Sequence, residues 1–303
     1  MRNRYSRRPA GDSEYSIVKL ATFSHDGKPG YGLVVEEGIL SATPAFRADH
    51  ADLLAVLRAG AAHLLPDNVD VAPLPLSAVQ FLPPVPNPNK ILCIGVNYRA
   101  HIAEMGRTPP DYPVVFTRFA RSLVGHQESL LRPLASRQYD FEGELAVVIG
   151  KPARHVAREQ ALDYVAGYSC FMDGSVRDWQ RHTGQFTAGK NFDSSGAMGP
   201  WLVTADEIPD PSTLSLQTRV NGDVMQRGDL ADLVFDIPAL LEYCSTFTEL
   251  SPGDVIATGT PGGVGAARKP PVWLAAGDTV EVDVAGVGSL VCRVRDERLK
   301  SRA

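Results

Sequence analysis

Short apolar runs broken by turn residues dominate this chain. Residues 16–23 and 31–35 predict two strands, joined by a turn through Asp26, Gly27 and Lys28. Residues 51–58, ADLLAVLR, carry apolar positions at helical spacing and predict a helix. The stretch 82–89, LPPVPNPN, then holds four prolines in eight residues. Proline lacks the N–H that a ladder or a helical turn needs, so a stiff extended connector is predicted, and a domain boundary with it. Beyond it strand signals crowd together, at 90–96, 114–117, 145–149, 164–171, 201–204, 214–220, 255–258, 279–284 and 288–294. Asn221-Gly222 is a hairpin signal. Only 156–162 and 237–244 read as helices there, the second with Pro238 near its start. Many strands and few helices predict a β-rich α+β fold, a sandwich or a rolled barrel. The expected organisation is a disordered tail over 1–14, a small N-terminal domain over 15–82, a linker over 83–89 and a main domain over 90–303.

Composition narrows the function. The net charge is -5, and the only basic cluster is Arg2, Arg4, Arg7 and Arg8 at the N-terminus, so a nucleic-acid binder is not expected. No apolar run is long enough to span a bilayer, and the basic tail is followed by Ala10-Gly-Asp-Ser-Glu14 rather than an apolar signal segment. Cys93, Cys170, Cys244 and Cys292 form no CxxC pair, and three of them sit in strand-like runs. They read as buried free thiols of a reducing compartment, so a cytoplasmic location is expected. The glycine-rich Thr258-Gly-Thr-Pro-Gly-Gly-Val-Gly265 lacks the closing Gly-Lys-Ser/Thr of a phosphate loop, and no HExxH or nucleophile elbow is present.

The chemistry concentrates around Tyr139-Asp-Phe-Glu142-Gly-Glu144-Leu-Ala-Val-Val-Ile149. Residues i and i+2 of a strand share a face, so Glu142 and Glu144 point the same way. Two carboxylates heading a strand that is apolar on both sides repel each other and lose solvation unless a cation offsets them. A hard divalent ion such as Mg²⁺ or Mn²⁺ suits oxygen ligands. The alternative is an exposed edge strand with two solvated glutamates. Asp173 ends a second apolar run, and a buried aspartate is costly unless paired. Its alternative role is to cap a helix starting near Ser175.

His101 and Glu104 stand at i, i+3 and meet if their segment is helical. A carboxylate beside an imidazole orients it and raises its basicity, which makes a general base; a surface ion pair is the alternative. Lys190, after Gly189, is placed to stabilise an oxyanion or hold a carboxylate, unless it is an ordinary surface lysine. The segment from Tyr98 to about Tyr112 has few apolar anchors and stops at Pro109-Pro110, which reads as a lid.

From about Lys90 to Val294 these segments resemble the fumarylacetoacetate hydrolase superfamily. The motifs in order are Ile94-Gly-Val-Asn-Tyr98 with His101 and Glu104, Asp140-Phe-Glu142-Gly-Glu144, and Asp173-Gly-Ser-Val-Arg177-Asp-Trp-Gln180. Gly189-Lys190-Asn-Phe-Asp193 with Gly199-Pro200-Trp201, Gly222-Asp-Val-Met-Gln226, and the glycine-rich loop follow. The resemblance implies a mixed β-sandwich roll, with a small α/β domain before it, and usually a homodimer. It implies bound Mg²⁺ or Mn²⁺ on Glu142, Glu144 and Asp173, and a His101–Glu104 base dyad. It places Lys190 with catalysis, and Gln180, Thr260 and Tyr98 at the substrate. Two departures stand out: Met172 replaces the usual Asn before the metal Asp, and Arg118 stands where many members have Lys-Pro. Arg118 is expected to grip a substrate carboxylate with its planar fork. The implied activity is metal-dependent C–C hydrolysis of a 2,4-diketo acid to pyruvate and a carboxylic acid. The alternatives are decarboxylation, hydration or isomerisation of an unsaturated 2-oxo diacid, or non-enzymatic binding of an oxo-acid.

Overall fold

A computed structural model describes residues 18–104, 106 and 108–298. The expected tail over 1–14, together with Met105 and Arg107 of the expected lid, lies outside the described residues.

The chain opens with β1 (Lys19–His25), β2 (Lys28–Val35) and β3 (Gly38–Ser41), a meander of antiparallel neighbours. The β1–β2 turn works because Asp26 and Gly27 both take positive φ, 50° and 73°. Helix α1 (Pro44–Asp49) starts where Thr43 accepts from Phe46 N, a cap the sequence pattern did not single out. Helix α2 (Leu53–Arg58) begins two residues later than expected, because Asp52 serves as cap and accepts from Ala55 N at 2.7 Å. It buries Leu53, Leu54, Val56 and Leu57. The strand β4 (Gln80–Phe81) precedes the proline-rich stretch, which is packed down rather than free: Thr22 Oγ1 donates to Pro84 O at 2.7 Å and Val85 is buried.

Next come β5 (Ile91–Gly95), α3 (Arg99–Glu104), β6 (Val114–Thr117), β7 (Leu123–Val124), β8 (Ser129–Arg132), β9 (Tyr139–Asp140) and β10 (Gly143–Ile149). Then follow β11 (Val165–Met172), β12 (Ser175–Val176), α4 (Arg177–Gln180), α5 (Thr187–Lys190) and β13 (Gly196–Thr204). The last elements are β14 (Ser215–Val220), β15 (Asp223–Asp229), α6 (Ile237–Phe247), β16 (Val255–Ala257), β17 (Thr279–Val284) and β18 (Gly288–Asp296). An eleven-stranded mixed sheet has the order β3-β2-β1-β13-β11-β10-β16-β5-β6, with β4 on β1 and β7 on β13. A five-stranded sheet, β15-β14-β17-β18-β8, faces it. The fold is thus α+β and β-rich, a two-sheet roll.

The large sheet is buried on both faces. Leu145, Val147, Ile149, Tyr168, Cys170 and Met172 pack with Leu216, Val280, Val282 and Leu290 of the smaller sheet. Ala146, Val148, Phe171 and Met198 pack on the other face beneath Phe46, Leu53, Val56 and Leu57. That double burial explains why β10 reads as a continuous apolar run after its glutamates. The N-terminal strands join this same sheet, since β1 pairs with β13 at Lys19↔Val203 and Leu20↔Leu202.

Two helix expectations change. The segment 156–162 is a 3-10 helix, Arg158–Tyr164, in which Ala161 is buried and Leu162 and Tyr164 pack against the main core. Helix α6 runs past Cys244 to Phe247, capped by Asp236, whose Oδ1 accepts from Ala239 N at 2.9 Å. Among the described residues, no helix is long and apolar enough to cross a membrane.

Candidate active site and metal centre

Antiparallel pairing of β10 with β11 sets Gly143 opposite Met172, so the entry to one strand adjoins the exit of the other. Glu142 and Glu144 flank Gly143, and Asp173 follows Met172, its N–H donating to Glu142 O at 2.8 Å. One carboxylate oxygen from each of Glu142, Glu144 and Asp173 lies within 4.8 Å of the others, and all three residues are buried. Asp173 is therefore not a helix cap; α4 begins after Val176 without any side-chain cap. Gly143 permits the crowding: a Cβ there would lie 2.0 Å from Thr218 Oγ1 of β14.

Three buried cations answer these acids. Lys190, at the end of α5, places Nζ 2.5 Å from Glu142 Oε2 and 2.5 Å from Asp173 Oδ2. Arg177 pairs its Nη2 with Glu142 Oε1 at 2.6 Å, an ion-pair contact without hydrogen-bond alignment, and donates from Nε to Asp140 Oδ2 at 2.8 Å. Arg118 donates from Nη1 to Asp173 Oδ1 at 2.6 Å. Burial pushes the Glu142 carboxyl up, but Arg177 and Lys190 outweigh it and hold the group well below the carboxylate range. Glu144 behaves oppositely: burial first, then the charges of Asp173 and Glu142, push it well above that range. It accepts from Gly259 N at 2.9 Å, and among the described residues it has no ion pair.

The donor set fits a hard divalent cation. Three converging carboxylate oxygens are the ligands Mg²⁺ and Mn²⁺ prefer, and an ion touching Glu144 would keep that acid ionised. The wider cluster holds the acids Asp140, Glu142, Glu144 and Asp173 against Arg118, Arg177 and Lys190, all buried, so with every group ionised, as a bound cation would keep Glu144, the protein's own charges carry one net negative charge. A divalent ion would reverse that sign and make the site attractive to an anionic substrate.

Beside these acids stands the dyad. In α3, His101 Nδ1 lies 3.1 Å from Glu104 Oε2, and the His101 side chain is only 8% exposed. His101 is also near enough to Glu142 to help hold its carboxyl low. Glu104 accepts from Gly263 N at 3.0 Å, which ties α3 to the glycine-rich loop. That loop is held in turn by Thr260, whose hydroxyl donates to Gly143 O at 2.9 Å, and by Gln226, whose Nε2 donates to Thr260 Oγ1 and Pro261 O. Asp140 accepts from Gly265 N and Ala266 N at 2.8 and 2.9 Å.

The remaining expected residues are placed differently. Gln180 accepts from Arg177 Nη1 at 3.0 Å, so its carbonyl steadies that guanidinium. Tyr98 is buried, burial pushes its phenol up, and among the described residues its hydroxyl finds no hydrogen-bond partner. Arg118 is turned inward with a side chain 0% exposed, contrary to the expected grip on a substrate carboxylate. Asp140, Arg177 and Gln226 hold the site together, yet no role was read for them. Each lies inside a motif segment, which was the available signal.

Comparison with known proteins agrees with this geometry. Residues 90–295 match the family model described as the fumarylacetoacetate (FAA) hydrolase C-terminal domain. The oxaloacetate tautomerase FAHD2A of Homo sapiens, mitochondrial by its name, is 44% identical over 223 residues, 73% of this chain and 71% of that one. The fumarylacetoacetate hydrolase of Exiguobacterium antarcticum is 36% identical with a TM-score of 0.81, covering 92% of this chain and 100% of that one. The maleylpyruvate hydrolase of Sphingobium sp. SYK-6, solved with manganese (II) and pyruvate, is 30% identical with a TM-score of 0.75, again covering 92% and 100%. With its acidic cluster, its dyad and its two-sheet roll, the chain belongs to the fumarylacetoacetate hydrolase family.

Proposed function

We propose that this protein is a Mg²⁺- or Mn²⁺-dependent enzyme that interconverts the keto and enol forms of a short 2-oxo diacid of the oxaloacetate type. The observation that carries the proposal is the juxtaposition of a buried three-carboxylate site with a histidine held by a carboxylate on a separate helix. Glu142, Glu144 and Asp173 would hold the ion, which supplies Lewis acidity toward the 2-oxo acid end. Glu104 fixes the imidazole through Nδ1, leaving Nε2 to take the proton from C3 of the keto form and deliver it to the C2 oxygen of the resulting enolate, or to run the same transfer in reverse from the enol. Lys190 has three N–H donors and, among the described residues, gives two to carboxylates while its ammonium lies over the Phe116 ring, so the third would stabilise negative charge on the C2 oxygen. The curated relatives at 42–44% identity, oxaloacetate tautomerases by name, support this substrate class.

A second reading keeps the C–C hydrolysis of a 2,4-diketo acid. It is favoured by the dyad, since the same imidazole can deprotonate water, and by the likeness to maleylpyruvate hydrolase. Tautomerisation asks less of the site: a base at C3 and a stabilised oxyanion suffice, with no water positioned over a distal carbonyl. The deciding experiment supplies the Mn²⁺-loaded protein with enol-oxaloacetate and, separately, with acylpyruvates in ¹⁸O water. Accelerated loss of the enol absorbance, with no pyruvate from acylpyruvates, supports the first reading. Pyruvate with ¹⁸O in the second acid supports the other. Mn²⁺-dependent oxo-acid binding without turnover would leave only the binding-protein alternative. A homodimer in the cytoplasm is proposed as the working state.

A further inference from the structure

We propose that Arg118 positions Asp173 for the metal ion and so sets the metal affinity of the site. This rests on the metal centre proposed above. Every donor direction of the Arg118 guanidinium is used inside the protein. Nη1 donates to Asp173 Oδ1 at 2.6 Å and to Gly174 O at 2.9 Å. Nη2 donates to Ser195 Oγ at 2.8 Å and more weakly to Ser122 O at 3.4 Å, while Nε donates to Ser122 Oγ at 3.1 Å. The fork therefore spans three separate segments: the turn carrying Ser122, the exit of β11 at Asp173 and Gly174, and the approach to β13 at Ser195. Gly196 makes room for it, because a Cβ there would lie 2.6 Å from Nη2.

The division of labour on Asp173 follows from this geometry. Arg118 holds Oδ1 and Lys190 holds Oδ2, so the carboxylate cannot rotate, and each oxygen keeps a lone pair for a cation. An arginine stays charged when buried and its planar fork fixes direction as well as distance. A lysine at 118 would bring one point charge and could not bridge Asp173, Gly174 O, Ser122 and Ser195 together. The residue the sequence suggested as a substrate clamp is thus a positioning residue for a metal ligand.

The test measures Mn²⁺ binding directly, by the electron paramagnetic resonance of free Mn²⁺ and by calorimetry, on Arg118→Lys and on the Ser122→Ala/Ser195→Ala double variant. Arg118→Lys is expected to raise the Mn²⁺ dissociation constant about ten- to hundredfold and to alter the bound-ion spectrum, as loss of a hydrogen bond to a ligand does. The serine double variant keeps the guanidinium and its charge, and is expected to raise the constant roughly severalfold by loosening the fork. It keeps the test alive if Arg118→Lys does not fold. Wild-type Mn²⁺ affinity in either folded variant overturns the inference, whatever happens to its melting temperature. A raised KM for oxo-acid with Mn²⁺ affinity unchanged also overturns it, and returns Arg118 to the substrate. Wild-type protein that takes up no Mn²⁺ overturns the metal centre and this inference together.

Discussion

Single residues in this site are defined by their partners. Glu142 is held low by Arg177 and Lys190, whereas Glu144, without an ion pair among the described residues, is pushed up. Glu142→Gln leaves Lys190 and Arg177 beside a neutral amide, so it should weaken Mn²⁺ binding more than about hundredfold while the far-ultraviolet spectrum persists. Full activity after exhaustive EDTA treatment would contradict the metal centre. His101→Ala should lower kcat by about 10² to 10⁴ while Mn²⁺ affinity stays nearly level, since the imidazole hydrogen-bonds to Glu104 and the converging oxygens come from Glu142, Glu144 and Asp173. Lost Mn²⁺ binding in that variant would make His101 a ligand. A different histidine controls stability. His126 accepts from Val291 N through Nδ1 at 3.1 Å, and burial holds its pKa down at about 4. Its folded pKa lies below the unfolded value of roughly 6.5, so its neutral form stabilises the fold above that value. That contribution is lost as pH falls from about 6.5 through about 4. The melting temperature should fall over this window, and less steeply in His126→Gln; parallel curves would exclude the assignment.

At the scale of elements, two contacts hold the site together. The first is between β10 and β14, where Gly143 faces Thr218. Gly143→Ala forces Cβ onto Thr218 Oγ1 and should cost about 1–3 kcal/mol by overpacking. Adding Thr218→Ala removes that oxygen and should recover part of the loss, a coupling that a double-mutant cycle in urea would measure. The second is α3 on the glycine-rich loop. Helix α3 buries only His101 and Ile102 and is fastened through Glu104 to Gly263 N. An element with so little apolar burial opens readily, so its amides should exchange faster than those of β10. Oxalate, which mimics the chelating end of a 2-oxo acid, should slow exchange across α3 when Mn²⁺ is present. Identical exchange with and without oxalate would count against a lid.

Across the whole molecule, the N-terminal strands and the site share one sheet. Helix α2 covers the face of β10 that carries Ala146 and Val148, on the side toward which Glu144 points. Separate unfolding of 15–82 would expose that face, so calorimetry should give a single cooperative transition. Two resolved transitions would support the expected separate N-terminal domain over 15–82, bounded by the proline-rich stretch.

Local regularities were legible in the sequence because local physics produces them. Alternation and apolar runs marked the main strands, Asn221-Gly222 marked its hairpin, and Pro238 marked the start of α6. Spacing paired Glu142 with Glu144 and His101 with Glu104, since i,i+2 on a strand and i,i+3 on a helix share a face, whereas Asp173 stood out as an acid ending an apolar run and joined the glutamates through the family resemblance. The segment 156–162 misled because so short an apolar repeat fits 3-10 turns as well as α turns. Tertiary structure alone decided which strand neighbours which, and it set β1 beside β13. It also decided where Arg118 points. Its partner Asp173 is 55 positions away, and Asp140 reaches Gly265 across 125. A side chain's charge is written in the sequence, but its partner is chosen by sheet pairing and by burial, which makes an unpaired charge costly inside the core.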